Sequence, residues 1–487
     1  MGISLKKNIR KYMATAVAAV AVIAMTFTTL PCEAATKKPT SMTVVASAKT
    51  VDIKGKSVIT VKSVKPIGAS KAVTFKSSNS KVAAVSAKGV VTGKKAGKVK
   101  ITVTSKVNKK LKKTVALTVK DIKPTSLTLS ASKITVNVGK SKTLTTIAKP
   151  AGVYCPVTFK SSNSTVAAVS KTGKITGKKA GSATITVRYA EKNKSLTKTC
   201  KVTVNPREIA KDHFQGEFLI TALEAKKLIG NENVIFLDCR GDNFSSKGTI
   251  KGATATSWQA LATCESKYGK AGDKNWGKVP QPAELEKKLG NLGLDKNKQI
   301  ILLGETSKGW GEDARVLWEL RVAGYTDLKM VDGGYNALIE AGAPTQSKSS
   351  ILAKVNVKID KLDMTHDMDT EELLKNYNEY KIVDVRTDEE YKGAIKYNEA
   401  KGGHLPGAIH LRYTDLFRKD GTLKSQAAIE KTLSDAGIIK DDQIVTYCTG
   451  GIRSAYSQIV YEMLGYEKSW NHDQSFWRWA KVGKVEK

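Results

Sequence analysis

The part of the chain best equipped for chemistry lies near its C-terminus, where a β-forming run at 443–447 ends at Cys448. Thr449, Gly450, Gly451, Ile452 and Arg453 follow, and a helix is expected from near Ala455. The two glycines permit a tight turn whose N–H groups point inward, and a helix N-terminus adds partial positive charge. Cys448 is therefore predicted to be a nucleophile whose thiolate or persulfide is stabilised without a metal or cofactor. The alternative is a buried structural cysteine at a strand end.

Two similar series of elements are expected to position this loop. In the first, residues 234–238 and 299–303 are predicted to form buried strands, with a helix beginning at Pro282 between them. In the second, strand 382–386, helix 426–436 and strand 443–447 follow in the same order. Strands that alternate with amphipathic helices are typical of parallel α/β structure. We therefore predict two related α/β domains, 207–346 and 347–487, joined across about 345–365.

Several motifs in the second series resemble those of the rhodanese superfamily, and the resemblance spans about residues 214–485. The motifs are Asp384-Val385-Arg386, Glu390-Tyr391, the Gly-His-Leu-Pro-Gly-Ala run at 403–408, the Cys448–Arg453 loop and, in part, Asp473, Ser475, Phe476 and Trp477. The resemblance implies that Cys448 receives a sulfane sulfur from a donor such as thiosulfate, holds it as a persulfide and passes it to cyanide or a thiol. It implies that Thr449–Arg453 form the active loop. Asp384, Arg386 and His404 are expected to support the fold beside it.

Two features of the loop bear on the choice of substrate. The six residues from Cys448 to Arg453 are one fewer than in the related phosphatases and arsenate reductases, so sulfur transfer is favoured over phosphate hydrolysis. Glu390 and Gly450 stand where some tandem members of the superfamily carry Arg and Lys, so donor binding would rely on loop amides and on Arg453. Three tryptophans are expected either to wall the pocket or to pack in the core; they are Trp470, Trp477 and Trp479.

The first α/β domain reads as a degenerate copy of the second. Aligning residues 301–304 with 444–447 places Glu305 at the position of Cys448, and a carboxylate cannot form a persulfide. We therefore predict that domain 207–346 is inactive. Cys239 aligns with Val385 and is expected to lie in the core, whereas Cys264 is expected to be a loop thiol.

The first half of the chain contains an internal repeat. Residues 73–80 recur at 157–164, an offset of 84 residues, and residues 92–97 recur with the same shift. Val, Ile and Thr alternate with polar residues in short runs bounded by Gly, Asn and Ser, which predicts two small β-sandwiches, 36–121 and 122–206. Their Ser-Ser-Asn and Val-Ala-Ala-Val runs resemble bacterial immunoglobulin-like domains of group 2. That resemblance implies a spacer or an adhesive module and supplies no ligand.

Charge and an N-terminal targeting signal indicate where the protein works. Residues 1–35 have basic residues, an apolar run and a small-residue cleavage region near Ala34, as in a secretory signal peptide. Between residues 36 and 207 there are 37 Lys and Arg against 3 acids, whereas residues 208–487 carry 40 against 41. Such a field attracts polyanions, which outside a cell would be wall polymers rather than nucleic acid. The alternative is that lysines only keep an exposed stalk soluble.

The sequence as a whole predicts two all-β sandwiches followed by two α/β domains, in a secreted, envelope-associated sulfurtransferase. No later segment is long and apolar enough to cross a bilayer. The rival hypothesis is a non-catalytic surface adhesion protein that uses the α/β pair as a scaffold. Whether Cys155 and Cys200 form a disulfide stays open, because spacing alone cannot decide it. The physiological donor and acceptor and the oligomeric state stay open as well.

Overall fold

A computed structural model describes residues 37–151, 153–190, 196–241 and 248–487. The expected signal peptide at 1–35 lies outside the described residues. The chain divides into two compact units, one reaching to Thr128 and including Ile147–Pro156, the other made of Leu129–Thr146 and Val157–Lys487. Within the described part of the chain, no helix is long and apolar enough to cross a membrane.

Alternating apolar and polar residues build the first sandwich. In one long strand Val99, Ile101 and Val103 are buried in the core while Lys98 and Lys100 are exposed, as the period-two pattern predicts. Two four-stranded sheets result, with orders β1-β3-β6-β5 and β2-β8-β7-β4. The strands are β1 (Ser41–Ala46), β2 (Thr50–Asp52), β3 (Lys56–Lys65), β4 (Val73–Ser77), β5 (Ala83–Val85), β6 (Val90–Gly93), β7 (Gly97–Ser105) and β8 (Lys112–Lys120).

The second sandwich repeats these elements. Its strands are β9 (Ser126–Leu129), β10 (Lys133–Asn137), β11 (Ser141–Thr143), β12 (Thr146–Lys149), β13 (Val157–Ser161), β14 (Ala167–Val169), β15 (Lys174–Gly177), β16 (Gly181–Tyr189) and β17 (Thr197–Asn205). Strands β13, β15 and β16 begin 84 residues after β4, β6 and β7, so the sequence repeat is also a structural repeat. Cys200 in β17 is a buried thiol.

The first α/β domain has a five-stranded parallel sheet in the order β18-β23-β22-β19-β21. Its strands are β18 (Leu219–Ile220), β19 (Val234–Asp238), β20 (Thr249–Ile250), β21 (Thr254–Ala255), β22 (Gln299–Leu303), β23 (Leu328–Val331) and β24 (Thr345–Gln346). Its helices are α1 (Ala222–Lys227), α2 (Trp258–Leu261), α3 (Pro282–Asn291), α4 (Glu312–Val322) and α5 (Gly334–Glu340). Both predicted strands and the helix that begins at Pro282 are confirmed.

The second α/β domain has a four-stranded parallel sheet in the order β26-β25-β27-β28. Its strands are β25 (Lys381–Asp384), β26 (Ile409–His410), β27 (Ile444–Tyr447) and β28 (Ser469–Asn471). Its helices are α6 (Thr370–Lys375), α7 (Asp388–Tyr391), α8 (Gln426–Asp435), α9 (Ile452–Met463) and α10 (Ser475–Val482).

One boundary in this domain differs from the prediction and matters for the site. Helix α9 begins at Ile452 rather than near Ala455, because Gly451 adopts a left-handed conformation (φ 82°) at the N-cap and the chain can enter the helix at once. Arg453 therefore lies in the first helical turn.

The two α/β domains share one hydrophobic core. Helices α4 and α9, one from each domain, pack against each other there. Arg321 on α4 forms a bidentate ion pair with Glu462 on α9, with N–O distances of 2.8 and 2.7 Å. Arg315, six residues earlier on α4, donates to the carbonyl oxygen of Gly451 at 3.3 Å. The first domain thus contacts the loop that carries Cys448.

Candidate active site

Cys448 lies where β27 ends and the loop to α9 begins, with 1% of its surface exposed. Its backbone N–H donates to Ser475 Oγ at 3.0 Å, and its carbonyl accepts from Phe476 N at 3.0 Å. These bonds tie the loop to the start of α10 from the other side. The thiol is therefore held by rigid elements at both ends, as a positioned nucleophile requires.

Opposing effects act on the acidity of this thiol. Burial raises the pKa of Cys448, whereas the nearby charge of Arg453, the N–H and hydroxyl groups of Ser454 and the N–H of Gly450 lower it, and the net pKa lies below the usual value. The Ser454 hydroxyl is 3.7 Å from the sulfur and 2.7 Å from Asn471 Oδ1, so these two acceptors compete for its single proton. The inward-pointing amides that the two glycines predicted are thus present, although the donors are Gly450 and Ser454. The direction of this shift is the one expected of a nucleophilic thiol, whereas burial alone would raise the pKa.

Arg453 closes the loop through a buried carboxylate. Its guanidinium donates to both oxygens of Glu390 at 2.8 and 2.7 Å, and Thr449 Oγ1 donates to the same carboxylate at 2.8 Å. Although burial opposes ionisation, Arg453 and the other donors lower the pKa of Glu390 to about 2. The charge of Arg453 is therefore paired inside the protein. The sequence led us to expect Arg453 to take part in donor binding, whereas its guanidinium is paired here with Glu390, to which the sequence assigned no role.

The two loop glycines are required by what packs against them. A Cβ atom on Gly450 would lie 2.2 Å from the ring of Trp477, and one on Gly451 would lie 2.1 Å from the carbonyl oxygen of Asp473. Trp477 thus covers the loop where a side chain at position 450 would project. The absence of a lysine at this position follows from that contact.

A small cleft opens beside the sulfur, with a cavity volume of about 30 Å³. It is lined by Trp310, Tyr397, Cys448, Thr449, Gly450, Ile452, Arg453 and Trp477. Of the three tryptophans that the sequence proposed for the pocket, only Trp477 lines it. Trp479 is buried in the core, and Trp470 packs edge-on against Tyr380 with ring centroids 5.8 Å apart. Trp310 and Tyr397 were not anticipated.

The residues expected to support the loop do so away from the cleft. Arg386 donates to Asp384 through Nε at 3.0 Å and Nη2 at 2.7 Å, and to the carbonyl of Gly403 at 2.7 Å. His404 Nδ1 bonds to the carbonyl of Tyr391 at 2.9 Å while its ring stacks on that of Tyr391. All three side chains stabilise the fold next to the site, and none lines the cleft.

Two family models match the chain. The rhodanese-like domain matches residues 221–341 and 369–482, and the bacterial Ig-like domain of group 2 matches residues 39–115 and 124–200. The chain carries two rhodanese-like domains behind two bacterial Ig-like domains. The family resemblance and the fold class predicted from the sequence are both confirmed.

Relatives of the rhodanese-like half are named for sulfur chemistry. A Mycobacterium leprae protein provisionally named a thiosulfate sulfurtransferase is 24% identical over 280 residues, covering 56% of this chain and 96% of that one. The sulfur carrier protein TtuD of Thermus thermophilus is 26% identical over 212 residues, covering 41% and 74%. A structure of EanB with ergothioneine, 20% identical, covers 58% and 76% at a TM-score of 0.50 and is similar in fold alone. These names support sulfur transfer as the general chemistry of the rhodanese-like pair.

The first rhodanese-like domain lacks a thiol at the nucleophile position, but the residue there is not the one the sequence suggested. Strand pairing matches Asp238 to Leu303 and, in the second domain, Asp384 to Tyr447. The residue equivalent to Cys448 is therefore Gly304, one position before Glu305. The Gly304 carbonyl accepts from Tyr335 N at 2.9 Å, just as that of Cys448 accepts from Phe476 N. The alignment was wrong by one residue, because uniformly apolar strands carry no marker of register.

The first domain also clarifies the role of the Asp–Arg pair. Arg240 donates to Asp238 at 2.9 and 2.7 Å and to the carbonyl of Gly248 at 2.9 Å, which repeats the bonds of Arg386. Because this network persists in a domain with no nucleophile, its role is structural.

The remaining thiols of the rhodanese-like pair are poorly suited to catalysis. Burial raises the pKa of Cys239 well above its usual value, and it raises that of Cys264 to about 12. Cys239 is a core residue, as predicted. Cys264 lies in the loop after α2, as predicted, and packs partly against the core. Among the described residues, no cluster of His, Cys, Asp and Glu could hold a metal ion.

Proposed function

We propose that the protein is an exported sulfurtransferase that moves a sulfane sulfur from a donor, with thiosulfate as one candidate, to a thiol or cyanide through a persulfide on Cys448. The observation that carries the proposal is the position of the Cys448 thiol, which lies at the end of β27 in the wall of a cleft that Thr449, Gly450 and Arg453 also line; its lowered pKa agrees with this role. The same donors would stabilise a persulfide anion.

The reaction has two balanced halves. The Cys448 thiolate attacks the sulfane sulfur of thiosulfate, a new S–S bond forms, and the original S–S bond breaks so that sulfite leaves with its electron pair. The acceptor thiolate then attacks the outer sulfur, and Cys448 leaves as a thiolate. No external oxidant is needed, because each S–S bond formed replaces one that breaks.

Cys448→Ser is expected to abolish transfer from thiosulfate to cyanide, because serine cannot carry a sulfane sulfur. Cys239→Ser, a change of similar size at a buried thiol, should leave transfer nearly intact. The measurements are thiocyanate formation and the intact mass after incubation with thiosulfate, where the native protein should gain one sulfur. Persulfide formation by Cys448→Ser, or its loss in Cys239→Ser, would reject the assignment.

We also propose that the basic Ig-like domains hold the enzyme at an anionic cell envelope after export. Support comes from the excess of lysine in residues 36–207 and from the outward direction of lysines such as Lys98 and Lys100.

A phosphatase activity is the competing chemistry for a cysteine loop of this kind. It would appear as hydrolysis of p-nitrophenyl phosphate that is lost in Cys448→Ser.

A further inference from the structure

The loop of the first rhodanese-like domain is longer than its counterpart in the second. Gly311 and Gly451 both adopt left-handed conformations, φ 77° and 82°, at the N-caps of α4 and α9, so they are equivalent. Two residues separate Cys448 from Gly451, whereas the six residues 305–310 separate Gly304 from Gly311. The first domain therefore has no thiol at this position, and its loop is four residues longer.

The extended loop contributes Trp310 to the neighbouring active site. Trp310 lines the cleft beside Cys448, and its ring meets that of Tyr397 edge to face, with centroids 5.5 Å apart. Nearly half of the Trp310 side chain, 49%, is exposed. An exposed tryptophan at the mouth of a cleft is in position to be covered by a ligand.

The other aromatic residues of the cleft are held in place. Trp477 Nε1 donates to the carbonyl oxygen of Tyr397 at 2.8 Å, and the Trp477 ring covers Gly450. Trp276 packs edge-on against Trp477 from the far side, with centroids 5.3 Å apart. Three aromatic side chains thus line the cleft beside the sulfur, and we call this group the aromatic wall: Trp310, Tyr397 and Trp477.

Among the described residues, those that line the cleft offer no unpaired positive charge to an anion. Arg453 is the one cation among its lining residues, and both of its Nη atoms bond to the ionised Glu390. Aromatic rings offer apolar surface to the organic part of a substrate and carry no net positive charge that would attract an anion. The space beside the sulfur, about 30 Å³, exceeds the roughly 10–15 Å³ that one water molecule needs. It suits the outer sulfur of a persulfide, with the organic part of a substrate against the aromatic wall.

We propose that the extended loop of the first domain completes, through Trp310, an acceptor subsite that selects uncharged organic thiols over anionic ones. This inference rests on the proposed function. In the transfer step, the acceptor thiol loses its proton to solvent and its sulfur bonds to the outer sulfur of the Cys448 persulfide. The bond to Cys448 breaks, and the acceptor leaves as a persulfide. Trp310 is a specificity-determining residue in this step and takes no part in bond breaking.

The test compares two thiols that share a two-carbon chain, 2-mercaptoethanol and 2-mercaptoethanesulfonate, at equal thiolate concentrations. The full-length protein is first loaded with a large excess of thiosulfate or inorganic polysulfide until the mass shows one added sulfur on Cys448. Persulfide discharge is then followed by intact mass. We expect the neutral thiol to discharge the native persulfide about tenfold faster than the sulfonate, the size of effect that one good aromatic contact supplies.

Three variants of Trp310 test whether its side chain causes the preference for the neutral thiol. Trp310→Ala should load normally but lose most of the preference for the neutral thiol, through a slower reaction with that thiol. Trp310→Phe should keep the preference, and Trp310→Lys should accelerate discharge by the sulfonate. Ile439→Ala, which removes a similarly exposed apolar side chain (60% exposed) from another surface of the catalytic domain, should match the native protein.

The experiment distinguishes a failure of the proposed function from a failure of the aromatic subsite. If Cys448 gains no sulfur from either donor, the proposed function falls and the subsite falls with it. If loading is normal but native protein and Trp310→Ala discharge with both thiols at the same rates, the aromatic subsite alone is overturned.

Discussion

At the scale of single residues, the reactivity of Cys448 depends on a few donors that together outweigh burial. Arg453 acts through charge, while Ser454 and the Gly450 amide act through hydrogen bonds. Glu390 limits the effect of Arg453 on the pKa of Cys448, because it holds the guanidinium in place and neutralises part of its charge. The thiolate is therefore stabilised without leaving a bare cation at the cleft.

Ser454→Ala is expected to raise the pKa of Cys448 by up to about one unit, since a hydrogen bond to a charged group contributes about 1.5 kcal/mol. The pH dependence of Cys448 alkylation by iodoacetamide, resolved by peptide mass, measures this shift, and the midpoint should move to higher pH. Ser457→Ala is the matched control, because that hydroxyl lies one turn along α9 and bonds to the carbonyl of Arg453 at 3.2 Å. An unchanged midpoint in Ser454→Ala would contradict the account of the lowered pKa.

The sequence could locate Cys448 and Arg453 because both lie in one contiguous loop. Glu390 lies about sixty residues earlier, and nothing in a linear pattern shows that its carboxylate reaches Arg453. The role of Trp310 was still harder to predict from the sequence, because this residue comes from the other domain and from a loop that does not match its counterpart. Contacts between elements, rather than residue types, decide these roles.

At the scale of elements, the sequence predicted strands β19 and β22 within their observed bounds but could not fix their register against the second domain. The one-residue error aligned Glu305, instead of Gly304, with Cys448. Backbone pairing resolves it. The start of α9 was missed for a related reason, since only the observed left-handed Gly451 shows that the helix begins directly after the loop.

Gly304→Ala is expected to destabilise the protein by about 1–3 kcal/mol, as overpacking does in a full core. A Cβ atom there would lie 2.5 Å from the buried carboxyl group of Asp313. Urea unfolding measures the loss. Adding Gly304→Ala to Asp313→Ala should cost much less than adding it to the native chain, because the competing carboxyl group is gone. An equal cost in both backgrounds would contradict this description of the inactive loop.

At the scale of the whole molecule, charge and catalysis are separated along the chain. The Ig-like half carries nearly all of the net positive charge, while the rhodanese-like half is close to neutral. A near-neutral catalytic half does not itself concentrate anions, and this agrees with the uncharged acceptor proposed for the cleft. The proposed envelope attachment and the proposed acceptor selectivity therefore depend on separate parts of the chain.

Binding of the full chain to purified anionic cell walls should weaken steeply as salt rises, because each neutralised phosphate releases a counterion. The double variant Lys98→Glu/Lys100→Glu, on the exposed face of β7, should bind more weakly and with a shallower dependence of log affinity on log salt. Lys287→Glu/Lys468→Glu makes the same change in net charge on exposed residues of the rhodanese-like half and should leave wall binding near that of the native chain. Cosedimentation across a sodium chloride series measures all three proteins. If both double variants lose affinity equally, net charge rather than the Ig-like surface governs attachment, and the assignment of envelope binding to those domains fails.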